Sequence, residues 1–248
     1  MKSPGLLGVL GGMGPLATID FLHKLLAATS ATMDQDHVPV VTASIPQVPD
    51  RTAAFRGDGV SPLPAMIESG QRLIDAGASL IVVPCNTAHL WYEPLRDALA
   101  IPMIHIVDAA LEDAIAVVGP CGHIGLLATD ATTASGLYVN RKSPQGHALQ
   151  WLLPTASEMI ELVMPGISAV KSGDTKRGGA LLAQAAASLG KRGATAVVLG
   201  CTEIPIVLNS MNAPLPVIDA TQSLARRSVA WARSQQALNG ADGAALQG

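Results

Sequence analysis

Short, unbroken apolar runs punctuate this chain, and amphipathic stretches fill the spaces between them. The runs occupy residues 6–11 (LLGVLG), 38–45, 79–85, 101–107, 123–129, 149–154, 195–201 and 215–220. Several are built almost wholly of Val, Ile and Leu, without the polar alternation of a strand that faces water on one side. Such runs read as strands covered on both faces. Between them, residues 17–29, 65–77 and 179–193 repeat apolar positions at helical spacing, and the last two close on a glycine of the kind that ends helices. Strand and helix in alternation predict an α/β fold of parallel sheets flanked by crossover helices.

The pattern also repeats. VLGGMGP closes the first run and LLATDATTASG the fifth, while VVPCNTAH closes the third and VVLGCTEI the seventh. Gly8 precedes Cys85 by 77 positions, and Gly125 precedes Cys201 by 76. Two halves of nearly equal length each place a cysteine at the carboxyl end of a parallel strand, the end at which open α/β sheets bind ligands. The expected architecture is two similar lobes related by a pseudo-twofold axis, each a parallel sheet flanked by helices, with the site in the cleft between them. Residues 1–104 are expected to form the first lobe, joined by the C-terminal segment 216–248, and residues 105–215 the second. The small, polar tail 234–248 is expected to fray.

Composition narrows the function. A chain of 248 residues that is 49% hydrophobic can bury a large core. Only 14% of residues are charged and the net charge is −3, so no basic stripe marks a nucleic-acid surface. The apolar segment near the N-terminus is too short to span a bilayer and runs directly into a glycine turn, which is not a signal-peptide layout. No membrane association is expected, and the expected location is the cytoplasm. Three widely spaced cysteines do not make a disulfide framework and are expected to be reduced thiols.

Gly12-Met13-Gly14-Pro15-Leu16-Ala17 matches a loose form of the dinucleotide fingerprint. The acidic residue that would hold a ribose is missing from the end of the second strand, which reads Ser44-Ile45-Pro46-Gln47. Pro15 suits the first position of a helix. The loop therefore offers backbone N–H groups at a helix start, where a carboxylate fits as well as a phosphate. A tight turn without a ligand explains the same residues.

Cys85 and Cys201 are more telling. Each follows an apolar strand and precedes small polar residues at a helix start, where N–H groups and the helix dipole favour a thiolate. A lone cysteine in an apolar segment is ordinarily a small core residue. Two in matching places of a repeat, each closely followed by Thr, point to chemistry. Cys121 has no counterpart and reads as structural. Cys85 and His89 stand one helical turn apart, but no further ligands complete a tetrahedral zinc site. Proton transfer remains: one thiolate removes a proton from a carbon centre, and the other thiol returns one to the opposite face.

GGMGPLAT, PQVPDRT, PCNTAH, GLLATDATTASGLY and GCTEIP together resemble the aspartate/glutamate racemase family, most closely its aspartate racemases. The motifs run in family order from Gly8 to about Asp219. The resemblance implies cofactor-independent interconversion of L- and D-aspartate, or of glutamate, by two-base transfer at Cα between Cys85 and Cys201. It implies no metal, a small acidic amino acid as partner, and commonly a homodimer. It also implies that Arg51 and Lys171 are the cations that hold the substrate; Lys171 alone reads as an ordinary surface charge, while Arg51, beside Asp50 in a proline-bounded loop, fits a surface charge and a binding role equally well. Asn86, Thr87 and Thr202 are expected to donate hydrogen bonds to the α-carboxylate, onto which charge spreads as the α-proton leaves. Met13 and Gln47 are expected to line the substrate site, and Thr129 and Thr132 to occupy the equivalent loop of the second lobe.

His89, His105 and Glu203 stay outside the catalytic set. His105 reads as a core histidine within a strand, and Asp20, Asp108 and Asp219 as helix caps or loop-orienting groups. Closure of the lobes over substrate is a further expectation. Three other readings fit part of the pattern. They are a related racemase, isomerase or decarboxylase with another substrate, a two-lobed solute-binding protein, and a nucleotide-dependent oxidoreductase.

Overall fold

A computed structural model describes residues 5–142 and 146–245. All eight apolar runs contain strands: β1 (Leu7–Gly11), β2 (Val40–Ser44), β3 (Leu80–Val82), β4 (Met103–Ile104), β5 (His123–Leu127), β6 (Gln150–Leu152), β7 (Ala196–Leu199) and β8 (Val217–Asp219). They form two four-stranded parallel sheets with the same order, β2-β1-β3-β4 and β6-β5-β7-β8.

The helices are α1 (Pro15–Ala28), α2 (Arg51–Arg56), α3 (Leu63–Asp75), α4 (Tyr92–Leu99), α5 (Ile106–Val118) and α6 (Asp130–Ala134) in the first part of the chain. α7 (Ala156–Glu158), α8 (Met164–Lys171), α9 (Thr175–Lys191), α10 (Ile204–Val207) and α11 (Ala220–Ala245) follow. A 3-10 turn, Thr87–Trp91, precedes α4, and a π-helical turn, Met159–Val163, joins α7 to α8.

The repeat read from the sequence is thus a repeat of packing. Gly8 of β1 and Gly125 of β5 lie under Leu73 of α3 and Leu189 of α9, respectively. A Cβ on either would approach a neighbouring carbon to 2.9 Å.

Burial on both faces explains the unbroken apolar runs. Leu7, Val9, Leu80 and Val82 of the first sheet share one core with Ile124, Leu126, Ala196 and Val198 of the second. Ile106 and Leu111 of α5 and Leu224 and Val229 of α11 fill the same core. The alternate residues Leu10, Ile81 and Val83 pack outward against Met66 and Leu73 of α3 and Leu95 and Leu99 of α4. Leu127, Val197 and Leu199 do the same against Ile167 and Val170 of α8 and Leu182 and Leu189 of α9. The lobes are therefore joined through a common core.

Three details differ from the sequence reading. β4 stops at Ile104 because the His105 side chain caps α5, which begins at Ile106; His105 is a helix cap and not a strand residue. β8 pairs with β7, so the second sheet runs to Asp219 and the chain returns to the first lobe only with α11, which packs on α1 and α5. The tail expected to fray continues α11 through Ala245, in keeping with the high helix propensity of its alanines, and residues 246–248 lie outside the described residues. Asp219 caps α11 by accepting from the Thr221 and Gln222 N–H groups, and it shares Lys24 with Asp20. Among the described residues, no helix is long and apolar enough to cross a membrane.

Candidate active site

Loops from both lobes meet around a cavity of about 340 Å³, lined by Gly14 and Leu16 after β1, Val48 and Arg51 after β2, Lys171 at the end of α8 and Glu203 after β7. The glycine loop shapes one wall. Gly12 has φ +89° and lies so close to the Ile45 backbone that a Cβ would overlap it. α1 starts at Pro15, as the sequence predicts. The Gly12 N–H, however, donates to the Thr18 hydroxyl at 2.8 Å, and that hydroxyl donates to the Gly14 carbonyl at 3.1 Å. The loop uses part of its polar backbone to wrap its own helix start, so fewer N–H groups face a ligand than the sequence suggests. Met13 is buried in the same apolar cluster as Val48 and Cys85, and Gln47 is exposed on the loop between β2 and α2.

Cys85 is buried just past β3. His89 holds its turn: Nδ1 pairs with the Cys85 carbonyl at 2.9 Å, and Nε2 accepts the Ile106 N–H at 3.2 Å. An accepting Nε2 leaves the proton on Nδ1, so the ring is neutral, and burial pushes its pKa down to about 4. His89 is a bracket between the thiol turn and α5. Asn86 is buried; its Oδ1 accepts from the Tyr138 hydroxyl at 2.5 Å, while its Nδ2 is buried with no partner. The Thr87 hydroxyl lies 3.0 Å from that of Thr129 and 2.9 Å from that of Thr132, and the latter two are 3.0 Å apart. These three side chains bond one another across the lobes.

Cys201 is buried just past β7, and its thiol donates to Glu203 Oε2 at 3.0 Å. Burial, and next the Glu203 carboxylate, push this thiol well above its ordinary pKa, with Lys171 opposing. Glu203 therefore favours the protonated thiol, the reverse of assisting its ionisation. Its other oxygen, Oε1, is buried without a partner and lies 3.4 Å from where a Cβ on Gly14 would be. Thr202 is buried between the two residues of this pair.

Lys171 reaches the cleft from the end of α8. Burial works against its charge, but Glu203, Cys201 and Cys85 together outweigh burial and raise its pKa. A single ammonium thus lies within electrostatic reach of both sulfurs. Arg51 opens α2; its Nη1 donates to the carbonyls of Val48 at 3.0 Å and Pro49 at 2.9 Å, and its buried Nε has no partner.

Arg51 and Lys171 line the cavity, and Lys171 is within electrostatic reach of both buried cysteines, neither of which lines the cavity itself. The structure adds two partners: Glu203 on the Cys201 thiol and Tyr138 on Asn86. A Cys-x-Glu spacing at a strand end is a usable signal for the first. Nothing local signals the second. Cys121 is exposed, and among the described residues no group of three or more His, Cys, Asp or Glu side chains is placed to hold a metal ion.

The sequence profile of the Asp/Glu/hydantoin racemase family matches residues 10–227. The chain belongs to this family. This racemase is 27% identical over 230 residues to the broad specificity amino-acid racemase RacX of Bacillus subtilis, spanning 90% of this chain and 96% of that protein. The aspartate racemase of Picrophilus torridus superposes with a TM-score of 0.80 at 29% identity, covering 92% of this chain and 94% of that one. Glutamate racemase of Francisella tularensis, solved with D-glutamate, shares the fold with a TM-score of 0.63 at 16% identity, covering 95% of this chain and 82% of that one. The two-lobed α/β architecture expected from the repeat is the architecture of the two solved racemases.

Proposed function

We propose that this racemase interconverts L- and D-aspartate, with glutamate as the nearest alternative, by moving the α-proton between Cys85 and Cys201 without pyridoxal phosphate or a metal. The observation that carries this reading is the pair of cations on one cavity wall: Arg51 and Lys171 line it together, with Glu203, Cys201 and Cys85 within electrostatic reach of Lys171. A dicarboxylic amino acid suits such a site. Its side-chain carboxylate meets Lys171 and the free edge of Arg51. Its α-carboxylate meets Asn86 Nδ2 and the Thr202 region.

The α-proton is very weakly acidic, and an ordinary thiol with a pKa of about 8.5 gives only a modest base. Donors aimed at the α-carboxylate offset this difficulty, because negative charge builds there only as the proton leaves. With Cys201 held as a thiol, the reaction in one direction starts from a thiolate at Cys85. Cys85 takes the α-proton, and Cys201 delivers its own proton to the opposite face. The product is the mirror image, and the enzyme is left with the proton on Cys85. The reverse reaction starts from that state. One proton enters and one leaves the carbon, so the balance closes without an oxidant or reductant.

The test is incubation with L-aspartate, then L-glutamate, in deuterium oxide without added cofactor, following α-proton loss and optical rotation together. Exchange with falling rotation is the expected result and names the substrate. Stable rotation with both amino acids overturns the acidic-substrate assignment. A wider substrate range is the second reading, favoured by the apolar Leu16, Val48 and Val170 beside the cations. Exchange with neutral amino acids at comparable rates would establish it.

A further inference from the structure

Three buried side-chain atoms of the site residues have no partner: Arg51 Nε and Glu203 Oε1 of the cavity lining, and Asn86 Nδ2 on the residue after Cys85. Two are donors and one is an acceptor. Such an orphan is costly in a folded protein, so a ligand that pairs all three is favoured. An α-amino dicarboxylate carries two anionic groups and one cationic group, which matches this set. We propose that Glu203 Oε1 receives the substrate's α-ammonium, so that the cleft selects amino dicarboxylates over dicarboxylates that lack the amine. This inference rests on the acidic amino-acid reading of the site.

The competing acceptors are occupied or open to water. Asp50 also lines the cavity, but it is exposed, so water can pair its carboxylate, and its Oδ1 already accepts from the Ala53 N–H at 2.8 Å to cap α2. The Gly14 carbonyl accepts from the Thr18 hydroxyl and N–H. The hydroxyls of Thr87, Thr129 and Thr132 satisfy one another. Glu203 remains, and its orientation is fixed. Because Oε2 holds the Cys201 thiol, Oε1 is turned toward the glycine loop, on the cavity side.

One carboxylate would then touch both the ammonium and the thiol, which brings the carbon bearing that amine toward Cys201. The arrangement also couples binding to reactivity. An ammonium on Oε1 offsets the negative charge that holds the Cys201 proton, so substrate itself readies the thiol to release it.

The experiment is calorimetric titration of the protein, and of Glu203→Gln, with DL-aspartate and with succinate, the same dicarboxylate without the amine. The racemic mixture keeps racemisation from altering the titrant. Glutamine preserves volume and an acceptor for the thiol. The native protein is expected to bind aspartate about tenfold or more tighter than succinate, and Glu203→Gln to lose that preference while keeping its succinate affinity. Glu203→Asp serves if the glutamine variant does not fold; it should retain part of the preference. Equal binding of aspartate and succinate by the native protein overturns the inference. So does a variant in which both ligands weaken by the same factor, because Glu203 would then act through Cys201 alone. If the native protein binds neither, the acidic-substrate reading fails, and the inference fails with it.

Discussion

The Thr87 hydroxyl lies 2.9 Å from the Thr132 hydroxyl, and this bond ties the 3-10 turn after β3 in one lobe to α6 after β5 in the other. Thr129 completes the triangle, Tyr138 reaches across to Asn86, and Arg56 pairs with Asp130. These contacts stand over a core that both sheets share. Rotation of whole lobes about a hinge would break all of them, so these contacts oppose closure of one lobe on the other. Replacing Thr87 with Val removes one hydroxyl and leaves its neighbours short of a partner. A loss of about 1–2 kcal/mol in stability is expected, measured from urea midpoints at unchanged m-value. Turnover should fall with it, because Thr87 closely follows Cys85 on the same turn.

Tyr138→Phe tests a different contact. The Tyr138 hydroxyl is buried and donates to Asn86 Oδ1, which fixes the direction of the unpartnered Nδ2. Without it the amide can turn and stop offering its donor to the α-carboxylate. That donor acts most strongly in the transition state, so kcat is expected to fall more than KM rises. Steady-state kinetics in both directions check this. A rise in KM alone would mean that Asn86 contributes only ground-state binding.

The pH dependence of stability follows from His89. Its folded pKa of about 4 is below the ordinary value of 6.5, so the unfolded chain binds more protons between those limits. Stability is therefore complete above the ordinary value and declines as pH falls toward the folded one. His105, also depressed by burial, adds in the same direction. A decrease of about 2 kcal/mol between pH 7 and pH 5 is expected from His89 alone. His89→Gln should flatten that slope in urea titrations at the two pH values. An unchanged slope would show that other groups set the acid limit.

Much of this was readable in the chain. The eight strands were legible because Val, Ile and Leu runs buried on both faces leave no polar alternation, and the Gly8–Cys85 and Gly125–Cys201 spacings matched because the sheets have the same order. The paired thiols were legible for the same reason. What failed was tertiary. His105 looked like a strand residue because capping depends on where the next helix starts. The bond from Tyr138 to Asn86 and that from Ile106 to His89 join residues far apart in sequence, which no local pattern encodes. Glu203 lay beside Cys201 in plain view, but burial decides that it holds the thiol's proton.

Lys171→Met should affect binding and titration together. Lys171 lowers the Cys201 pKa against the effects of burial and Glu203, so its removal raises that pKa further. The alkaline rise in activity is expected to move to higher pH. KM for aspartate should increase about tenfold or more, the equivalent of about 1.4 kcal/mol in lost binding. A normal KM with a normal pH profile would return Lys171 to the ordinary surface charges.

The two-base scheme makes its sharpest claim in single-cysteine variants. Cys85→Ala and Cys201→Ala should each abolish racemisation, since one face of the carbon loses its proton donor or acceptor. Each should still exchange the α-proton of one enantiomer with solvent, and the two should prefer opposite enantiomers. Their pH profiles should differ. In Cys85→Ala the only base left is Cys201, whose pKa is raised by burial and by Glu203, so exchange should be slow near neutrality and climb in alkali. Adding Glu203→Gln removes one of those causes and should shift that climb to lower pH. Exchange in deuterium oxide with separate D- and L-aspartate reads all of this directly. Full racemisation by either single variant would exclude the two-thiol mechanism. Exchange of the same enantiomer by both would place the two thiols on one face of the substrate.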